Sequence, residues 1–196
     1  MSSRAMILAA VRGNAPAAAA LPEVPLFDQG VPSLLGAFRE AFELLGGTFA
    51  ELAAGEMVEA AVARLFPSAR VVCSVVPELT GTKRLADVAS PAELEDVDVG
   101  VVRPVFGVAE TGSLFLSEAE LGVNALGYLA QHLVALLDPA DIVPNLHHAY
   151  RRPEFRTARY AVLMTGPSAT ADIEGVLIRG AQGVRSLTVL PVARAG

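Results

Sequence analysis

The chain has 196 residues, 53% of them hydrophobic and 18% charged, which suits one compact domain burying about 70% of the surface its unfolded chain exposes. Fifteen basic against 21 acidic side chains leave a net charge of −6, without the basic footprint that nonspecific nucleic-acid binding requires. The single cysteine, Cys73, excludes a disulfide framework within one chain and an iron–sulfur cluster held by this chain's own cysteines; the composition reads as a cytoplasmic protein.

The first fourteen residues, MSSRAMILAAVRGN, hold an apolar core between Arg4 and Arg12. Arg12 interrupts it where a signal peptide would continue, so an amphipathic helix with Met6, Leu8 and Ala9 partly buried is expected. Residues 13–33 carry four prolines and read as an extended linker, giving an N-terminal segment 1–33 and a single domain 34–196. Ser33 is placed to cap a helix whose apolar positions Leu34, Leu35, Phe38, Phe42 and Leu45 recur at helical spacing before Gly46 and Gly47. A short strand over 48–52 and a helix over 56–66, ended by Pro67, follow. Residues 70–76, RVVCSVV, have the continuous β-branched character of a strand buried on both faces, with Cys73 inside it. The charged stretch 83–98 is a helical or irregular excursion.

Two β-rich runs, 99–108 and 113–117, flank Ala109-Glu110-Thr111-Gly112-Ser113. The longest charge-free stretch, 121–137, contains Asn124, Gln131 and His132 and falls short of the roughly twenty apolar residues of a membrane span. A strand is expected at 133–137 and a short helix at 145–150. The last third predicts a strand over 160–164, a turn at Thr165-Gly166-Pro167-Ser168, a helix over 169–179 and a strand over 186–192. That is one β-α-β unit with a right-handed crossover. Strands alternating with helices give an α/β fold: a mostly parallel central sheet with helices on both faces.

Two turns carry the candidate chemistry. TGPSATADIEG, residues 165–175, leaves a buried strand and enters the expected helix, a location where open α/β sheets hold ligands. Ser168 and Thr170 there either cap the helix or, with its first N–H groups, hold a small carboxylate or phosphorylated ligand; Asp172 and Glu174 favour the helix dipole and oppose an anion. In AETGS, Glu110 is a candidate base, nucleophile or cation ligand, or the acid of a plain hairpin turn, and Thr111, Gly112 and Ser113 complete the bend. Gly180, Gln182 and Gly183 form the turn into the last strand. The two motif turns are expected to converge on the carboxyl edge of the sheet, with Glu110 and then Asp172 the preferred acids facing their shared pocket. No metal site is expected, since His132, His147 and His148 lack a ligand spacing and read as structural or surface residues.

These residues taken together resemble a known family. AETGS, then about fifty residues later TGPSATADIEG and a G-x-x-G turn, together with ILAAVR and the VDVGV lead-in at 97–101, resemble the lactate-utilization protein C family, the LUD domain. The resemblance implies a fold like the glucosamine-phosphate deaminase, ribose-phosphate isomerase and CoA-transferase group. It also implies a non-redox part in oxidising L-lactate to pyruvate beside two iron–sulfur partner proteins, which would carry the clusters while this chain binds no cofactor. Gln182 stands where the family usually has a histidine, so that position orients a ligand rather than moving a proton. The alternatives are a stand-alone CoA-transferase-like or isomerase-like enzyme, with Glu110 similar to a catalytic glutamate only by analogy of fold, and a small-molecule-sensing regulatory protein.

Overall fold

The computed structural model describes residues 2–16, 19–30, 32–171, 177–179 and 182–194. In chain order the elements begin with α1 (Ser3–Gly13), α2 (Leu34–Leu44), β1 (Thr48–Phe49), α3 (Val58–Leu65) and β2 (Val72–Ser74). After two 3₁₀ turns come β3 (Val99–Val102), β4 (Phe106–Val108), β5 (Ser113–Ser117), α4 (Glu118–Leu121), α5 (Leu126–Leu129) and β6 (His132–Leu137). The chain then runs through β7 (Ile142–Val143), α6 (Leu146–Ala149), α7 (Glu154–Thr157), β8 (Ala161–Met164), β9 (Ala169–Ala171), β10 (Leu177–Arg179) and β11 (Ser186–Pro191).

Among the described residues the strands form a wholly parallel five-stranded sheet, β1-β11-β6-β3-β2, a mixed four-stranded sheet, β7-β4-β5-β8, and the hairpin β9-β10. The parallel sheet is buried on both faces, and its side chains alternate between two clusters. Val99, Val101, Val134, Leu136 and Leu190 pack with Val58, Ala61 and Val62 of α3. Val102, Leu133, Ala135, Leu137, Leu187 and Val189 pack with Phe38 and Phe42 of α2, with Leu121 and Leu126, and with Leu114 and Leu116 of β5. One face is thus helix-covered and the other is shared between helices and the second sheet. Ser33 caps α2 as its position suggests, its Oγ accepting from Gly36 N at 3.1 Å.

Four expectations are corrected. Residues 99–108 are not one run: Arg103 and Pro104 break it, and β3 and β4 belong to different sheets, because Pro104 cannot donate to a ladder. Residues 169–171 and 177–179 are strands rather than a helix, with Thr170 opposite Ile178, two β-branched residues that suit a pleated ladder. The expected β-α-β unit therefore does not exist, since β8 and β11 lie in separate sheets. Cys73 is fully buried as expected, but its strand, expected at the centre of the sheet, is β2 at the outer position of the parallel one; burial pushes its thiol pKa up. Finally, α1 has no buried residue, and Met6 and Leu8 are exposed. The described residues of the Pro-rich segment do lie along the surface, where Asn145 Nδ2 donates to Leu26 O at 2.6 Å and Phe27 O at 3.2 Å.

Candidate functional site

The two motif turns meet, for a reason other than the one expected. β5 and β8 are antiparallel neighbours with Leu114 opposite Met164, so Ser113 at the head of β5 and Thr165 at the foot of β8 are adjacent across the ladder. Ser113, only 4% exposed, joins the motifs through its hydroxyl, 2.7 Å from Thr111 Oγ1 and 2.5 Å from Thr165 Oγ1. Their meeting place is the mixed sheet, not the carboxyl edge of the parallel one. Both turns press on α2 and its end through glycines at positive φ. A Cβ on Gly112 (φ +61°) would lie 2.4 Å from Phe42 N, and one on Gly166 (φ +66°) 2.5 Å from Leu45 O, so no other residue fits either position without moving backbone.

Residues 165–168 and 182–184, with Val162, Met164 and Tyr128, line a cleft of about 220 Å³. Ser168 N donates to Val184 O at 3.0 Å, and a Cβ on Gly183 would come within 2.9 Å of Ser168 Cβ, so Gly183 lets the two segments close on each other. The polar groups here are neutral hydrogen-bonding ones: the hydroxyls of Thr165 and Ser168, the Gln182 amide and the Tyr128 phenol. Burial, then a hydrogen bond with Tyr160, pushes the Tyr128 pKa up to about 12, so it stays protonated. Because a hairpin replaces the expected helix, no helix among the described residues begins at this turn, and the dipole argument for an anion lapses. Thr170 is exposed on β9 and does not line the cleft. Asp172, Glu174 and Gly180 lie outside the described residues.

Glu110 does not face this cleft, nor do Thr111 and Gly112 line it. The Glu110 carboxylate turns instead to the start of α6, where Oε2 accepts from Leu146 N at 3.1 Å. Asn145 caps the same helix, Oδ1 accepting from His148 N at 3.2 Å. Glu110 therefore acts as a second acceptor at a helix start.

A larger and more polar cleft, about 440 Å³, lies at the amino ends of β3, β6 and β11 and is lined by Asp98, His132 and Arg185 together with Phe66, Glu95, Asp96 and Gln131. Its placement follows from register: His132 pairs with Val99 on one side and Ser186 on the other, so the residues entering the three strands stand together. His132 Nδ1 is 2.7 Å from Ser186 Oγ, and its ring lies 4.9 Å from that of Phe66. Burial above all, then the charge of Arg185, lowers the His132 pKa, with Asp98 acting in the opposite sense. Asp98 Oδ2 accepts from Arg70 N at 2.7 Å and Val71 N at 2.9 Å, and these backbone bonds lower its pKa. Sequence spacing missed this group because Asp98, His132 and Arg185 are far apart along the chain. The signal was that each of three apolar strands is entered through a polar or charged residue.

The LUD domain model matches residues 57–192, about two thirds of the chain and all of both clefts. The chain belongs to the LUD-domain family. Lactate utilization protein C of Deinococcus radiodurans is 28% identical over 193 residues, spanning 93% of this chain and 90% of that protein. A crystal structure of a DUF162 family protein from the same organism shares the fold, with a TM-score of 0.63, 20% identity, and coverage of 82% of this chain and 96% of that one. Within the LUD domain fall both motif turns, Glu110, Asp98, His132 and Arg185. The Pro-rich segment and α2, against which Gly112 and Gly166 pack, precede it.

Proposed function

We propose that this chain serves lactate utilization as a component without a redox centre of its own. It acts beside two iron–sulfur proteins that accept the two electrons released as L-lactate becomes pyruvate. The observation that carries this reading is the kinship with lactate utilization protein C across nearly the full length of both chains. The cysteine inventory agrees: one buried thiol supplies at most one of the roughly four thiolates a cluster takes. The cleft under residues 165–168 is the ligand site in this reading, its hydroxyls and the Gln182 amide holding a small carboxylate by neutral hydrogen bonds. A CoA-transferase-like activity is disfavoured, since its nucleophile would be Glu110, whose carboxylate is engaged with the Leu146 N–H.

The test is reconstitution. Two iron–sulfur proteins of the lactate-utilization type are purified from the same organism, and L-lactate-dependent reduction of a dye is followed with and without this chain. Loss of most of the rate on omission supports the proposal. An equal rate without the chain overturns it.

A further inference from the structure

The two ends of the parallel sheet differ in what fills them. At the carboxyl end Arg103 pairs with Glu78 and donates to Val192 O at 2.9 Å, while Arg194 pairs with Asp141 at 2.7 Å and donates to Pro104 O at 3.0 Å. The place where open α/β sheets commonly hold ligands is thus occupied by the protein's own cations. At the amino end the strands open instead into the 440 Å³ cleft of Asp98, His132 and Arg185, within the ordinary range of ligand sites, about 300–1,000 Å³. With Nδ1 held by Ser186, Nε2 is the His132 nitrogen left to meet a ligand.

We propose that this amino-end cleft is a second binding site, distinct from the cleft under residues 165–168, and that it takes a small uncharged polyhydroxylated ring such as a free sugar or the ribose of a nucleoside. Charge decides the class. A carboxylate or phosphate gains one guanidinium, that of Arg185, and meets Glu95, Asp96 and Asp98. Even with Asp96 matched by Lys83 at 2.6 Å, the acids outnumber Arg185. A simple cation meets Arg185 itself. Among the described residues no three His, Cys, Asp or Glu side chains come together as metal ligands. A polyol suits the set as it stands: its hydroxyls donate to the carboxylates and accept from the guanidinium in charge-assisted bonds, the stronger kind, and accept a neutral bond from the Gln131 amide. Phe66 supplies an apolar surface for the C–H face of the ring.

Saturation-transfer NMR on the full chain tests this with D-glucose, D-ribose and adenosine as neutral probes and ribose 5-phosphate and L-lactate as anionic ones. The expected result is binding of at least one neutral probe, with movement of the His132 imidazole resonances, and affinity at least tenfold weaker in Glu95→Gln and Arg185→Ala. Both residues are exposed, so melting of these variants stays at the wild-type value. A response to adenosine alone identifies the nucleoside as the source of the ring, and a response to the sugars alone identifies a free sugar. Failure of all three neutral probes, tighter binding of ribose 5-phosphate or L-lactate in this cleft, or binding indifferent to both substitutions overturns the proposal. No lactate turnover enters this measurement, so its failure leaves the reconstitution result standing, and the reverse.

Discussion

The five-stranded sheet has two ends made of the same kind of strand, and they have been put to opposite uses. The carboxyl end is sewn shut by Arg103 and Arg194, whose guanidinium groups bond to carbonyls and carboxylates from several segments. At the amino end the polar residues Asp98, His132 and Arg185 border open space, and Val184, next along the chain, borders the smaller cleft. The comparison teaches that the preference of ligands for carboxyl edges comes from how crossover connections leave a gap there. When long polar side chains fill that gap, the binding surface has to be sought elsewhere. One end holds the sheet together and the other is left to meet a ligand.

Substitutions at the two ends should therefore give different symptoms. The largest effect is expected for Arg103→Ala. Arg103 is 11% and Glu78 26% exposed in their pair, and Glu78 Oε2 is buried with no hydrogen-bond partner among the described residues. Removing the cation should cost about 3 kcal/mol, read from urea midpoints, while ligand binding by the protein that remains folded is unchanged; a loss under about 1 kcal/mol would mean that the carboxyl end is not held by this pair. Gly166→Ala comes next, at about 2 kcal/mol, from positive φ and the close Leu45 carbonyl. It should also distort the cleft under residues 165–168 and lower lactate oxidation in the reconstituted system. Glu110→Ala should cost about 1 kcal/mol or less, the worth of one exposed helix-start acceptor, and leave lactate oxidation at the wild-type rate.

The smallest effect concerns pH at the amino end. The folded-state pKa of His132 lies below its ordinary value of 6.5, so just below that pH the unfolded chain binds more protons than the folded one. Stability then rises with pH through this window, and the contribution is fully present above about pH 6.5. As pH falls below 6.5, toward the lowered pKa, the wild type should lose stability faster than His132→Asn. Parallel pH profiles for the two proteins would show that the imidazole is not held neutral by its surroundings.

The sequence carried much of this architecture and misplaced some of it for identifiable reasons. Helix α2 was legible because Ser33 and the spacing of Phe38 and Phe42 agree with each other, and β6 because its apolar run, Leu133 to Leu137, is continuous. Residues 169–179 were not, because Ala169 and Ala171 favour a helix locally, whereas the β-branched Thr170 and Ile178 pair only once the chain folds back. The meeting of Ser113 with Thr165 was foreseen, though through the wrong sheet, since nothing local announces that Arg103 and Pro104 divert the chain into a second one. Glu110 looked like chemistry because it is an acid in a glycine bend, and its backbone partner, Leu146, is a distant residue that no spacing reveals. His132 read as structural because its companions come from strands whose order is a tertiary fact.

Lactate-related function belongs, in the proposed reading, to the cleft under residues 165–168 rather than to the arginine-filled carboxyl end of the parallel sheet. The measurement is L-lactate-dependent dye reduction by the iron–sulfur partners, supplied in turn with wild-type chain, a Ser168→Ala/Gln182→Ala variant and Arg103→Ala, each at equal folded concentration. The account predicts that the cleft variant lowers the rate severalfold with an unchanged melting temperature, while Arg103→Ala, per folded molecule, supports the full rate. Full activity of the cleft variant together with loss of activity in folded Arg103→Ala would contradict it.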